Sequence, residues 1–96
     1  MALSEAEINA ALQNLPGWEH SDGAITKTYA LPSYTAGLAF ATAIGIIAEG
    51  LNHHPDLSIG YKKVTVLFTT HDDGNVITDK DIEAATRIEA LDFPRE

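Results

Sequence analysis

Glu49-Gly50-Leu51-Asn52-His53-His54-Pro55 closes the longest apolar helical stretch of the chain and opens an extended one. Proline disfavours helical geometry in the residue before it, so the helix must stop at the histidine pair. Upstream, Ser33 is a suitable N-cap, and Tyr34, Leu38, Ala41, Ile44, Ala48 and Leu51 recur at helical spacing. Phe40 and Ile47 broaden that stripe, and Ala39, Ala43 and Ile46 carry apolar character around the back. A helix apolar on most sides must be covered on most sides. One sheet covers one face, so a second copy of the chain is expected on another. Downstream, Val64, Val66 and Phe68 alternate with Lys63, Thr65, Leu67 and Thr69 within an extended region from Leu57 to Thr70.

Working outward, Ser4 and Glu7 read as a capping box, followed by Ile8, Ala11, Leu12 and Leu15 and stopped by Pro16-Gly17. Trp18–Ser21 and Ala24–Leu31 flank Asp22-Gly23, a pair that takes positive φ easily and so predicts a tight hairpin. Lys27 shares a face with Ile25, Tyr29 and Leu31, which places it in the core's rim or leaves that face mixed. Thr78-Asp79-Lys80-Asp81 opens a last helix with Ile82, Ala85, Ile88 and Leu91 apolar and Pro94 beyond its end. The order is α-β-β-α-β-β-α. It predicts an α+β fold, a four-stranded antiparallel sheet with three helices on one face.

The chain has 96 residues, which predicts one domain over residues 1–96, too small for a second core. Six basic against fourteen acidic residues give a net charge of −8, unsuited to binding nucleic acid. There is no cysteine, so disulfides and thiolate catalysis are excluded, and a cytoplasmic setting is expected. Met1-Ala2-Leu3-Ser4-Glu5 lacks the charged and apolar regions of a signal peptide, and no apolar run reaches the ~20 residues of a comfortable membrane span.

The chemistry-bearing residues are histidines. Three of the four, His53, His54 and His71, lie near the helix end or the far end of the second strand pair. Imidazole exchanges protons near its unperturbed pKa of about 6.5, so an acid–base site is expected there. Glu49, four residues before His53, can either orient that imidazole or remain a solvated side chain near a C-terminal cap. Asp81 can act in the site or simply cap the last helix at N3. His71 can equally be a loop residue, Trp18 and Tyr61 ordinary core or rim aromatics, and His20 a solvated one. A zinc held by His53 or His54 with His71 and a carboxylate is a weaker alternative, because the i, i+4 histidine pair is absent. Neither a nucleophile elbow nor a phosphate-binding glycine loop occurs.

Glu49, His53-His54-Pro55, Tyr61, His71 and Asp81 reproduce in order the pattern of the pterin-4a-carbinolamine dehydratases, which the chain resembles over nearly its whole length. Pro16-Gly17-Trp18, the long helix with Phe40 and Thr78-x-x-Asp81 are similar to that family too. The resemblance implies a hydro-lyase that dehydrates 4a-hydroxytetrahydropterin to quinonoid dihydropterin, needs neither metal nor organic cofactor, and assembles as a homodimer or homotetramer. It implies a functional link to an aromatic amino acid hydroxylase, whose spent pterin it would recycle. It makes His53, His54 and His71 catalytic, with Glu49, Asn52, Asp81, Lys80, Pro55 and Trp18 orienting or binding the substrate. The expected division gives the two protons to His54 and His71, and leaves His53 to hydrogen-bond the pterin or its hydroxyl. Asn52 replaces a common Asp, Leu57 a common aromatic and Lys80 a common Arg, which bears on substrate grip more than on proton transfer. The competing expectation is a non-catalytic protein that dimerises or docks through its apolar long helix.

Overall fold

The computed structural model describes residues 2–71, 74–91 and 93, so Pro94 and the acidic pair Asp72-Asp73 of the expected turn lie outside the described residues. Its elements are α1 (Glu5–Leu12), β1 (Glu19–Ser21), β2 (Ala24–Ala30), α2 (Tyr34–Leu51), β3 (Asp56–Gly60), β4 (Lys63–Phe68) and α3 (Asp79–Glu89). The strands form one antiparallel sheet in the order β1-β2-β4-β3. This is the α+β architecture expected from the order of elements.

The central pair, β2 and β4, sets the core. Their register places Ile25 opposite Phe68 and Tyr29 opposite Val64, and these side chains are almost wholly buried with Val66. Phe40, Ala41 and Ile44 of α2 and Ala84, Ala85 and Ile88 of α3 join them in one cluster. Gly37, Phe40, Ala41, Ile44 and Ala48 are the buried positions of α2. The stripe is therefore rotated from the expected one: Tyr34 and Leu38, assigned to it by spacing, are 48% and 39% exposed. Phe40 is the reason, since its ring packs 4.8 Å from that of Tyr29 and turns its side of the helix towards the sheet. By length and a mean hydropathy of 1.4, α2 could cross a membrane; here its buried side packs on the sheet.

Lys27 sits on the core side, held rather than exposed. Its ammonium lies 2.7 Å from Glu89 Oε2, 2.6 Å from the Pro16 carbonyl oxygen and 4.6 Å over the Tyr29 ring. The Trp18 indole N–H and the Tyr29 hydroxyl also donate to Glu89 Oε2. This explains Pro16-Gly17-Trp18 physically. Pro16 supplies an acceptor, Trp18 a donor, and Gly17 (φ +85°) leaves room, because a Cβ there would lie 2.8 Å from the Lys27 stem. Burial alone would raise the Glu89 carboxyl. The hydrogen bond and charge of Lys27, with the Tyr29 and Trp18 donors, outweigh that and hold it below its ordinary value.

A carboxyl depressed in the folded state stabilises above its unfolded pKa, about 4.3 for Glu, and loses that contribution as pH falls towards the lower folded value. Melting temperature should therefore fall below about pH 4.3 partly through Glu89. Glu89→Gln should be less stable at neutral pH and show a flatter decline in acid, measurable by thermal scans across that window.

Candidate active site

Three elements converge where α2 ends, β4 ends and α3 begins. The sequence closes α2 at Asn52, which takes the left-handed conformation (φ 52°, ψ 41°) tolerated best by Gly and Asn. Its amide donates to the Glu49 carbonyl at 3.2 Å, and the His53 amide to the Ala48 carbonyl at 3.1 Å, the paired closure of a Schellman turn. That turn takes the two histidines off the helical wheel and sends them apart.

His53 turns inwards. Its side chain is 12% exposed, and its ring stacks on Phe68 with centroids 5.7 Å apart and planes 12° from parallel. Its Nε2 lies 2.6 Å from Oδ1 of Asp81, which is fully buried. The other oxygen of Asp81 accepts from the Thr78 amide and from the Thr70 hydroxyl, each at 2.9 Å. Because the single Thr70 proton is spent on Asp81, the Thr78 hydroxyl 2.8 Å away must donate to Thr70. Asp81 thus caps α3 with one oxygen, as its N3 position predicts, and holds the His53 imidazole with the other. A buried carboxylate with three donors is well satisfied, and it fixes His53 to present Nδ1 as its remaining nitrogen.

His54 turns outwards. Its Nε2 pairs with Glu49 Oε1 at 2.7 Å, and both side chains are mostly exposed. The expected partner of Glu49 was His53, on helical i, i+4 geometry. The left-handed Asn52 ends the helix before that geometry applies, and the carboxylate reaches His54 instead. An exposed pair of this kind orients more than it stabilises, contributing about 0–1 kcal/mol.

His71 stands beyond the end of β4, with Nδ1 2.9 Å from Asn75 Oδ1. The two ends of its loop are tied by a short bridge in which Thr70 and Val76 exchange backbone hydrogen bonds at 2.8 and 3.1 Å.

Asn52, His53, His54, Thr69, Thr70, His71 and Lys80 line one hollow of about 440 Å³. That volume is within the roughly 300–1,000 Å³ usual for small-molecule sites. Its described lining consists of amide, imidazole, hydroxyl and ammonium groups, with Asp81 lying beneath the surface it supports. Such a lining suits a polar heterocycle rather than an apolar ligand. Among the described residues, no three His, Cys, Asp or Glu side chains are grouped so that they could hold a metal ion.

Other residues singled out in the sequence lie elsewhere. Trp18 is buried in the core, its ring centroid 6.3 Å from that of Phe68, on which His53 stacks. Pro55 is half-buried just outside the hollow's lining. Tyr61 is 77% exposed at the turn joining β3 to β4, the opposite end of β4 from His71. His20 is half-buried, 3.0 Å from Asn9 Oδ1. Thr70, Thr69 and Asn75 were missed. Nothing in a run of Thr-Thr-His distinguishes a hydroxyl that relays into a carboxylate from one that faces water.

The family model for pterin 4 alpha carbinolamine dehydratase matches residues 1–91. A Roseiflexus sp. (strain RS-1) protein provisionally named pterin-4-alpha-carbinolamine dehydratase is 43% identical over 89 residues, covering 93% of this chain and 95% of its own. A similarly named protein of Thermosynechococcus vestitus is 44% identical over 89 residues, covering 93% of each chain. The crystal structure of a transcriptional coactivator/pterin dehydratase from Brucella melitensis superposes with a TM-score of 0.86 at 35% identity, over 94% of this chain and 97% of that one. A pterin dehydratase-like protein described as a RuBisCO assembly factor shares the fold, with a TM-score of 0.63 at 22% identity over 77% of this chain and 87% of its own. The chain belongs to the pterin 4 alpha carbinolamine dehydratase family.

Proposed function

We propose that the protein dehydrates a 4a-hydroxytetrahydropterin, 4a-hydroxytetrahydrobiopterin or a close analogue, to quinonoid dihydropterin and water. The observation that carries this reading is the meeting of His53, His54 and His71 around one polar hollow, with His53 anchored on buried Asp81. The reaction breaks the N5–H bond and the C4a–O bond and makes a C4a=N5 double bond. It needs a base at N5 and an acid at the leaving oxygen. His54 and His71 serve as that pair, and His53, fixed by Asp81, hydrogen-bonds the pterin or its hydroxyl. Asn52 and Lys80, at the rim, grip the polar edge of the ring. The step moves protons and expels the 4a-oxygen as water with no net oxidation or reduction, so the pterin is the substrate and no redox cofactor enters the balance. General acid–base groups of this kind supply about 10²–10⁴-fold in rate.

In this role the protein would act in the cytoplasm and serve an aromatic amino acid hydroxylase by returning its oxidised pterin for reduction. Stopped-flow absorbance of 4a-hydroxytetrahydropterin decay tests the activity. Purified protein should accelerate the decay at catalytic concentration. No acceleration would leave the interaction role of the long helix standing instead.

The same reading includes a homo-oligomer. Tyr34, Leu38 and Ile46 of α2 and Leu57 and Ile59 of β3 are between 36% and 69% exposed, and they are the apolar side chains a second copy would cover. Light scattering at micromolar concentration should give a mass of two or four times 10.3 kDa. A particle of one chain's mass would remove the oligomer.

A further inference from the structure

Whether His71 gives or takes a proton depends on which of its nitrogens carries hydrogen, and that is set outside the hollow. The Nδ1 atom faces Asn75 Oδ1 at 2.9 Å. A side-chain amide oxygen only accepts, so Nδ1 must be the protonated nitrogen and Nε2 keeps its lone pair.

The backbone holds Asn75 where it can do this. Thr70 and Val76 clamp the loop on both sides through their two backbone hydrogen bonds. The tip of the β1–β2 hairpin presses against it: a Cβ added at Gly23 would lie 2.0 Å from the Asn75 carbonyl oxygen. Thr69 ties that tip down, its hydroxyl donating to the Gly23 carbonyl at 2.6 Å. Only a glycine (φ +77°) fits there, so the hairpin and the histidine loop are seated on one another.

We infer that Asn75 is a positioning residue that holds neutral His71 in the Nδ1–H form, making His71 the base that removes the N5 proton and leaving the acid role to His54. This assignment rests on the dehydratase reading; the tautomer itself does not. His53, His54 and Lys80 are the other titratable side chains lining the hollow, and Asp72 and Asp73 follow His71 in sequence.

Nitrogen-15 NMR of the imidazoles at a pH where His71 is neutral tests the claim directly. The wild-type protein should show His71 protonated at Nδ1 and bare at Nε2, and Asn75→Ala should shift it towards Nε2–H. The same variant, exposed and away from the core, should lower kcat about five- to tenfold, the worth of one hydrogen bond. Asn75→Asp keeps an acceptor at the same place. It should restore the Nδ1–H form and most of kcat while moving the acidic limb of the pH–kcat profile upwards, because a carboxylate favours the imidazolium. A wild-type spectrum with Nε2 protonated, or an Asn75→Ala variant unchanged in tautomer and kcat, overturns the proposal. Absence of dehydratase activity in the wild type overturns the underlying reading instead, and the spectrum then decides Asn75 by itself.

Discussion

Asp81→Asn should cost about 1–3 kcal/mol of stability and about 10–100-fold in kcat, with the activity loss the larger relative effect. The two oxygens of Asp81 are not equivalent. Oδ2 takes two donors, the Thr78 amide and the Thr70 hydroxyl, while Oδ1 takes only His53. An asparagine will leave its oxygen where the two donors are and turn its amino group towards His53. Two N–H groups then face each other unless His53 changes tautomer, and that change converts its Nδ1 from acceptor to donor. Asp81→Ala goes further. It strands the Thr78 amide at the start of α3 and removes the cap, so a stability loss of about 3 kcal/mol or more should show in chemical denaturation. The pair of variants separates the two duties of one side chain: both lose activity, but only alanine should approach unfolding.

The second large effect is expected from the histidines themselves. His54→Ala and His71→Ala should each lower kcat by about 10²-fold, within the range for a single general acid or base. Their folds should persist, since both side chains are exposed. His53→Ala should lower kcat and also stability, because it removes the ring stacked on Phe68 and leaves Asp81 without its Oδ1 donor. Circular dichroism and steady-state kinetics on the three variants, across pH 5.5–8.5, check this. The roles assigned here fail if all three keep wild-type profiles.

The fold was legible in the sequence for physical reasons that act locally. Ser4 with Glu7 and Thr78 with Asp81 form the capping boxes that their spacing predicts, and Asp22-Gly23 makes the tight turn. Alternation in Val64, Val66 and Phe68 matches their burial because β4 is central and covered on one side only. Sequence spacing was less decisive where several apolar residues compete for one face. In α2 nearly every position is apolar, so the wheel does not say whether Leu38 or Phe40 turns inwards; the aromatic partner Tyr29 decides.

The site was legible as a set of residues and much less as a set of partners. The three histidines do line one hollow, yet Glu49 joins His54 rather than His53 because a single left-handed residue breaks helical register. Asp81 gave two readings from sequence; it makes the cap contact with one oxygen and meets His53 with the other. Thr70 meets Asp81, and Asn75 meets His71 and the hairpin tip, through contacts between residues distant or irregularly placed in the chain. No local pattern announces those contacts.

Co-crystallisation with a stable dihydropterin tests the central claim most directly. The account predicts the bicyclic ring within the hollow, with N5 inside hydrogen-bond reach of His71, C4a facing His54, and its polar edge towards Asn52 and Lys80. A pterin bound elsewhere on the surface, or one seated with its N5–C4a edge turned away from all three imidazoles, would contradict it.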